Sequence, residues 1–148
     1  MSTKAPHLLF VEAQFYPHIS ALLHAGAERA AKAAGATFET VSVPGSFELP
    51  GAIAMAAAAP GRFDGYVALG CVIRGETSHY DHVCTEAARG LQQLALAGLA
   101  VGFGIATCEN EAQALARTSP EGRDMGGKAV RACLAMVALK RQFAGGGG

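Results

Sequence analysis

The stretch LGCVIRGETSHYDHVC, residues 69–84, decides the fold predicted for this chain. It contains the end of an apolar, strand-favouring run over residues 66–73, which stops before Gly75. A polar turn with Thr77 and His79 follows, and the residues after it have helical spacing. A strand that runs into a helix start places free backbone N–H groups and the positive end of a helix dipole beside an imidazole. This arrangement suits an anionic substrate that undergoes proton transfer.

The alternation of strand and helix continues on both sides of this stretch. Strands are predicted over residues 8–11, 37–43, 66–73 and 101–107, and helices over residues 18–34, 47–59, 80–97, 111–117 and 125–143. Strands that alternate with helices form right-handed crossovers and a parallel sheet covered on both faces. The sequence therefore predicts an α/β fold with one four-stranded parallel sheet, and ligands bound at the carboxyl ends of the strands.

The length and charge of the chain limit its organisation and its ligands. A single domain over residues 1–148 is predicted, because a chain of this length can bury about 70% of its unfolded surface in one core. The ends, residues 1–7 and 144–148, are expected to be flexible. Lys and Arg together number 12, as do Asp and Glu, so no net field favours nucleic acid or an acidic membrane. The expected ligand is a small molecule.

The cysteines bear on the cellular location of the protein, and its apolar residues bear on its association with other copies of the chain. Four cysteines lie far apart in the sequence, and we find neither a secretory segment nor an apolar run of membrane-spanning length. A cytoplasmic protein is therefore expected. A zinc site could include His79, His82 and Cys84 as ligands. No further ligands have the expected spacing, so no metal is predicted. The apolar fraction of 51% is generous for a small domain and predicts apolar contacts between copies of the chain.

Polar or aromatic segments follow all four predicted strands. They are Phe15 and the turns at residues 44–48, 74–79 and 107–110. Any one of them could be ordinary turn chemistry. Because the carboxyl ends of parallel strands meet at one edge of the sheet, their coincidence predicts a single crevice that binds a ligand.

His79 is the candidate acid and base of this crevice, because an imidazole changes its charge near neutral pH. Gly75 allows close approach to an anion, and the N–H groups of Glu76 and Thr77, with the Thr77 hydroxyl, could hold a phosphate. Arg117 could supply a bidentate charge to the same phosphate. The alternatives are surface roles: a solvated helix cap for His79, a helix-start acid for Glu76 and a solvated cation for Arg117.

Three phenylalanines, a glutamate and a cysteine complete the candidates. Core packing is the default for a phenylalanine, but Phe15 lies in a turn, where its ring could stack on a planar heterocycle; Phe47 and Phe103 are more core-like. Glu48 follows a tight turn and could accept hydrogen bonds from ligand hydroxyls, or it could simply be a first-turn acid. Cys71 is a weak candidate nucleophile, because the imidazole is the one base that could activate it.

Three segments resemble the 6,7-dimethyl-8-ribityllumazine synthase family. They are VPGSFELP at residues 43–50, ALGCVIRGETSHYDHVC at residues 68–84 and VGFGIATCENEAQALAR at residues 101–117. The resemblance spans residues 8–143 and implies a flavodoxin-like three-layer fold in a pentamer, with active sites between neighbouring subunits. It also implies condensation of 5-amino-6-ribitylaminouracil with 3,4-dihydroxy-2-butanone 4-phosphate to 6,7-dimethyl-8-ribityllumazine, phosphate and water. This step of riboflavin biosynthesis requires no cofactor or metal in that family.

The resemblance assigns the ribityl-bearing substrate to one group of residues. Phe15 would stack on the pyrimidine. Ser46, Phe47 and Glu48 would line the ribityl chain, with Glu48 bound to its hydroxyls. The uracil edge would contact mainly the backbone of Cys71, Val72 and Ile73.

The resemblance assigns the phosphate and the proton transfer to a second group. Glu76 and Thr77 would hold the butanone phosphate, and His79 would move protons. Phe103 and Arg117 would come from the adjacent subunit, the first as a wall of the pocket and the second as a phosphate ligand.

Lys128 matches a family lysine near the pyrimidine, but the loop before it, residues 118–128, is longer than the compact Gly-Lys-Gly-Asn type turn of family members that form sixty-subunit shells. Extra bulk between pentamers disfavours shell closure, so an isolated pentamer is predicted. Riboflavin synthase is a candidate protein partner.

Two rival functions remain: a non-catalytic carrier of a flavin or lumazine, and a structural shell protein. His79 and the phosphate-binding groups favour catalysis, because a carrier of an unphosphorylated lumazine needs neither.

Overall fold

The four predicted strands form one parallel sheet in the computed structural model, which describes residues 4–145. The strands are β1 (His7–Ala13), β2 (Thr37–Val43), β3 (Gly65–Ile73) and β4 (Val101–Cys108). Their order in the sheet is β2-β1-β3-β4. The chain therefore leaves β1 towards one edge of the sheet and later returns to its other side. The point at which the strand order reverses lies between β1 and β3.

Five helices cover the two faces of this sheet. They are α1 (Pro17–Ala33), α2 (Leu49–Ala57), α3 (His79–Leu96), α4 (Glu111–Thr118) and α5 (Met125–Ala144). Helices α1 and α5 pack on one face, and α2 and α3 pack on the other, while α4 contacts β4 and α1. The prediction of an α/β three-layer, flavodoxin-like arrangement is confirmed.

The central strands are buried on both faces. In β1, Leu8 and Phe10 belong to the apolar cluster beneath α1 and α5, whereas Leu9 and Val11 belong to the cluster beneath α2 and α3. All four side chains are at most 3% exposed. A strand covered on both faces requires a continuous apolar run rather than an alternating pattern, and residues 8–11 have such a run. The two clusters fix the sheet, so the loops at its carboxyl edge start from rigid positions.

Helix α5 lies unusually close to α1. A Cβ atom at Gly126 would clash with the carbonyl oxygen of Leu23, so the contact requires a glycine. Asp124 caps the start of α5, because its carboxylate accepts a hydrogen bond from a backbone N–H of the first turn at 3.2 Å. The guanidinium of Arg29 in α1 donates to the carbonyl oxygen of Pro120 at 3.0 Å. The loop between α4 and α5, residues 119–124, is therefore held against α1, and the other residues of the segment predicted as a loop over 118–128 are helical.

The observed boundaries agree closely with the predicted ones except at residues 47–59, which were expected to be helical with an interruption at Pro50 near the start. The structure has a 3-10 turn over Ser46–Glu48, and the α-helix begins only at Leu49. Pro50 explains this difference, because proline lacks a backbone N–H and is tolerated only in the first turn of an α-helix.

The two ends that were expected to be flexible lie partly outside the structure's described range. Residues 1–3 and 146–148 lie outside the described residues. His7 is the first residue of β1, and Ala144 is the last residue of α5. Between residues 4 and 145, no helix has both the length and the apolar character needed to cross a membrane.

Candidate active site

A cavity of about 600 Å³ opens at the carboxyl ends of β1, β2 and β3. It lies beside the β1/β3 junction, where open parallel sheets bind their ligands, and its size suits a small organic molecule. The walls come from the end of β3, the first turn of α3 and the segments that follow β1 and β2. They contain many of the predicted site residues: Phe15, Ser46, Phe47, Glu48, Cys71, Val72, Ile73, Thr77 and His79. Gly75 also lines the cavity.

The loop after β1 gives the cavity an aromatic wall. The Phe15 ring is 70% exposed. It makes an edge-to-face contact with the Tyr16 ring, and the two ring centroids are 5.0 Å apart. Burial raises the pKa of the Tyr16 hydroxyl, and a hydrogen bond with the backbone of Ile73 partly offsets that rise. The contact with Ile73 ties this loop to the end of β3. An exposed, laterally supported ring is suited to stacking on a planar heterocycle.

The loop after β2 brings a carboxylate and an exposed ring to the cavity. The backbone N–H of Gly45 donates to Oε1 of Glu48 at 2.9 Å, which closes the 3-10 turn. Phe47 is 58% exposed. The Ser46 hydroxyl is buried and has no hydrogen-bond partner within the described part of the chain. It packs on Gly70 of β3, where an added Cβ would lie 2.5 Å from the hydroxyl oxygen.

The loop after β3 combines an imidazole with a helix start. His79 is the first residue of α3 and is exposed. Its backbone N–H donates to Oγ1 of Thr77 at 3.2 Å. The first N–H groups of a helix have no partner within the helix, and the dipole makes this end positive. An anion in the cavity could therefore meet backbone donors, a hydroxyl and an imidazole together.

Cys71 is unsuited to act as a nucleophile. The thiol is buried, and burial, together with the neighbouring Cys108 thiol, raises its pKa to about 12. A thiol with such a pKa is almost fully protonated at neutral pH, whereas the thiolate is the reactive form. The zinc alternative at His79, His82 and Cys84 receives no support either. Among the residues described, no group of three or more His, Cys, Asp or Glu side chains could hold a metal ion.

Four predicted site residues are not among those that line the cavity of the single chain. Glu76 is exposed in the loop before α3. Phe103 lies on the edge strand β4 and is 47% exposed. Arg117 donates from its NH1 to the carbonyl oxygen of Thr107 at 2.6 Å. Lys128 is exposed in the first turn of α5. For Phe103 and Arg117, the prediction placed them in the cavity of a neighbouring copy.

The turn after β4, residues 107–110, also lies outside the cavity lining, although all four strand ends were expected to converge there. Asn110 instead caps α4, since its side chain accepts a hydrogen bond from the backbone of Gln113 at 2.9 Å. Glu109 pairs with Arg74. The side chains of this turn therefore bind α4 and the end of β3 and do not form a wall of the cavity.

Three lining residues were not predicted from the sequence. Tyr16, Tyr80 and Val83 all face the cavity. Each had a local signal: Tyr16 follows Phe15 in the same turn, Tyr80 follows His79, and Val83 lies on the inner face expected for the third helix.

The chain is similar to proteins of one known family. A family model described as 6,7-dimethyl-8-ribityllumazine synthase matches residues 5–141. A protein of that name from Sphingopyxis alaskensis is 56% identical over 137 residues, covering 93% of this chain and 96% of the relative. One from Novosphingobium aromaticivorans is 51% identical over 91% of this chain and 96% of the relative. One from Paramagnetospirillum magneticum is 49% identical, with 92% and 95% covered.

Proposed function

This chain belongs to the 6,7-dimethyl-8-ribityllumazine synthase family, and we propose that it condenses 5-amino-6-ribitylaminouracil with 3,4-dihydroxy-2-butanone 4-phosphate. The products are 6,7-dimethyl-8-ribityllumazine, phosphate and water. As a member of this family the chain is an enzyme, a condensing transferase. Its place in the cell is proposed to be the cytoplasm.

The aromatic and carboxylate walls support the assignment of the ribityl-bearing substrate. The exposed ring of Phe15 would stack on the pyrimidine, and the backbone of Cys71, Val72 and Ile73 would meet the uracil edge. Ser46 and Phe47 would line the ribityl chain. Glu48 would accept hydrogen bonds from its hydroxyls, because its carboxylate is exposed at the cavity wall. Stacking and hydrogen bonds together would fix the position of the attacking amine.

The helix start supports the assignment of the phosphate. The backbone near Gly75, Glu76 and Thr77 would bind the butanone phosphate, with the Glu76 carboxylate turned away from it. Arg117 and Phe103 of a neighbouring copy would complete the pocket, the first on the phosphate and the second as a wall. Lys128 would lie near the pyrimidine. In these roles Phe103 and Arg117 require a second chain, and we propose the homopentamer that the family resemblance implies.

The reaction follows from these positions. The amine of the uracil attacks the ketone carbonyl, and loss of water gives an imine. His79 would accept and return protons in this step and in the elimination of phosphate, an effect of about 10²–10⁴-fold where it is typical. Backbone N–H groups and Arg117 would stabilise the charge on the departing phosphate. Ring closure with loss of a second water gives the lumazine, without a cofactor or a metal.

One observation carries this proposal: His79 at a helix start shares a single cavity with Phe15 and Glu48. The test mixes the purified chain with both substrates and follows lumazine absorbance. Turnover supports the proposal. Binding of lumazine or flavin without turnover supports the rival carrier, and neither binding nor turnover supports the rival shell protein. Riboflavin synthase, the proposed protein partner, can be added to the same assay, where it would consume the lumazine.

Arg117→Ala tests the phosphate assignment. We expect a rise of about 10-fold or more in the KM for the phosphorylated butanone, because a charge-assisted bidentate contact is lost. The KM for the ribityl-bearing substrate should change little. Arg117→Lys is the matched control for charge, since it keeps a cation but loses the fork geometry. An unchanged KM for the butanone in both variants would place the phosphate elsewhere.

A further inference from the structure

Arg74, the residue that follows β3, is attached to the end of β4 twice. Its backbone N–H donates to the carbonyl oxygen of Cys108 at 2.8 Å, which extends the pairing of β3 and β4 by one residue. Its side-chain Nε donates to Oε2 of Glu109 at 2.8 Å. The position of Arg74 is therefore fixed by the rigid sheet and by the loop that follows it.

The same guanidinium contacts the first turn of α3. Its central carbon lies 4.4 Å from the centroid of the Tyr80 ring, and its NH1 lies 3.7 Å from Oδ1 of Asp81. A guanidinium over an aromatic face is attracted by the negative charge of the ring face. Tyr80 and Asp81 directly follow His79, so these contacts reach the turn that carries the imidazole.

One further side-chain contact joins the first turn of α3 to β4, a hydrogen bond between Tyr80 and Thr107, whereas the residues before Tyr80 are held more weakly. The residues between Arg74 and Tyr80 are all exposed. Ser78 occupies the cap position of α3 but makes no side-chain hydrogen bond to the helix start within the described range. The bond between the His79 N–H and the Thr77 hydroxyl is local to the turn. The guanidinium thus joins the turn to the sheet edge.

We propose that Arg74 is a positioning residue that holds the first turn of α3 against the end of β4 and thereby fixes His79 in the cavity. This inference rests on the proposed function. A single exposed ion pair contributes little, but here one guanidinium joins two carboxylates and a ring in a network. Because Glu109 and Asp81 already engage the guanidinium, Arg74 orients the imidazole and does not serve as the phosphate ligand.

The test compares Arg74→Ala, Arg74→Lys and Glu109→Gln by steady-state kinetics. Arg74→Ala should lower kcat by about 10-fold, because a displacement of a catalytic group by about 1 Å has a large effect on rate. The KM for each substrate should stay within about 2-fold, because the groups that bind them are retained. Arg74→Lys should recover part of kcat, since an ammonium can pair with Glu109 but cannot lie flat on Tyr80.

Arg89→Ala is the matched control. Arg89 is an exposed arginine of the same helix that pairs with Glu86 at 2.7 Å, away from the cavity lining. This variant should leave kcat unchanged. Unchanged kcat in Arg74→Ala overturns the inference, as does a raised KM for the phosphorylated butanone at unchanged kcat, which would make Arg74 a phosphate ligand. If Arg74→Ala does not fold, Arg74→Lys and Glu109→Gln replace it. A lowered kcat in these variants supports the inference, and an unchanged kcat in both overturns it.

Hydrogen–deuterium exchange separates this inference from the proposed function. Exchange of the backbone amides over residues 75–80 should be faster in Arg74→Ala than in the parent chain and in Arg89→Ala, because the turn has lost its attachment. Absence of lumazine formation by the parent chain would refute the proposed function alone. Equal exchange in all three proteins would refute the positioning role of Arg74 whatever the activity.

Discussion

His79 is exposed at the first residue of α3, and this position explains how it could exchange protons with a substrate. We expect His79→Ala to lower kcat by about 10²-fold or more, since general acid–base catalysis is lost. Binding of the ribityl-bearing substrate should change by less than about 2-fold, because stacking and hydroxyl contacts are made by other residues. Steady-state kinetics and equilibrium titration with that substrate measure the two quantities separately.

His82→Ala is the control for this substitution. His82 is an exposed histidine of the same helix and does not line the cavity. Its replacement should leave kcat within about 2-fold of the parent value, because it touches no reacting group. If the two variants have the same kcat, His79 has no part in the reaction.

Glu12 is a buried acid outside the active site. It lies on β1, is 6% exposed, and its carboxylate accepts a hydrogen bond from Nδ1 of His24. Burial raises its pKa above the ordinary value of 4.5, and the hydrogen bond and charge of His24 offset part of that rise. A raised pKa in the folded state means that Glu12 contributes stability when protonated. This contribution is lost as the pH rises from about 4.5 through the folded-state pKa.

Glu12→Gln removes this titration while keeping the shape of the side chain. The free energy of unfolding of the parent chain should therefore fall relative to that of Glu12→Gln as the pH rises through this range. Urea denaturation of both proteins at several pH values gives the two curves. The charged groups nearest this pair lie on α1: Nε2 of His24 is 3.4 Å from Glu28, which also pairs with Lys32. Parallel curves for the two proteins would contradict the prediction.

At the scale of elements, the packing of α5 on α1 depends on one missing side chain. Gly126→Ala would bring a methyl group against the backbone of Leu23 and push the helices apart. We expect a loss of about 1–3 kcal/mol in the free energy of unfolding, which is typical of overpacking. Chemical denaturation measures this loss.

Gly51→Ala in α2 is the matched control, because a Cβ atom there has no neighbour within 4 Å. This substitution should stabilise the chain by up to about 1 kcal/mol, since alanine favours a helix more than glycine does. A Gly126→Ala protein as stable as the parent would show that α5 can move without cost. The pair of variants thus separates helix propensity from packing.

The elements themselves were largely predictable, because periodicity and capping are local. Asn110, a residue type that favours helix caps, directly precedes the helix predicted over residues 111–117, and its side chain caps that helix. An interruption at Pro50 was expected, but the 3-10 turn before Leu49 was not predicted. Proline limits where an α-helix begins, but the backbone before it can form a turn or a loop with similar ease. The choice depends on tertiary contacts, here the packing of Ser46 on Gly70.

In the whole molecule, the sequence predicted the loops that form the cavity but not the contacts between segments that are distant in the sequence. The loops after the first three strands were expected to form the site, and they line one cavity. The turn after β4 does not line it: Asn110 caps α4, and Glu109 pairs with Arg74. This pair joins residues 35 positions apart in the sequence, and no local pattern encodes it. The proposed role of Lys128 stays a prediction, as do those of Phe103 and Arg117, which depend on a further copy of the chain.

The number of copies is itself a prediction of the proposed site. Exposed rings lie at the cavity wall and on the edge strand, with Phe15 at 70% exposure, Phe47 at 58% and Phe103 at 47%. Burial against other copies would remove this apolar surface from water. Five chains of 15.1 kDa should therefore give a particle of about 75 kDa by light scattering. A mass near one chain, or near a megadalton, would contradict the isolated pentamer.

Activity should follow this assembly, because a single chain lacks the phosphate ligand and the aromatic wall that we assign to its neighbour. Dilution below the concentration at which the pentamer dissociates should lower the specific activity in proportion to the fraction assembled. Phe103→Glu, which places a charge on the proposed contact, should shift that concentration upward and leave the folded chain intact, since the ring is half exposed. Full specific activity from dissociated chains would show that one chain contains the whole site.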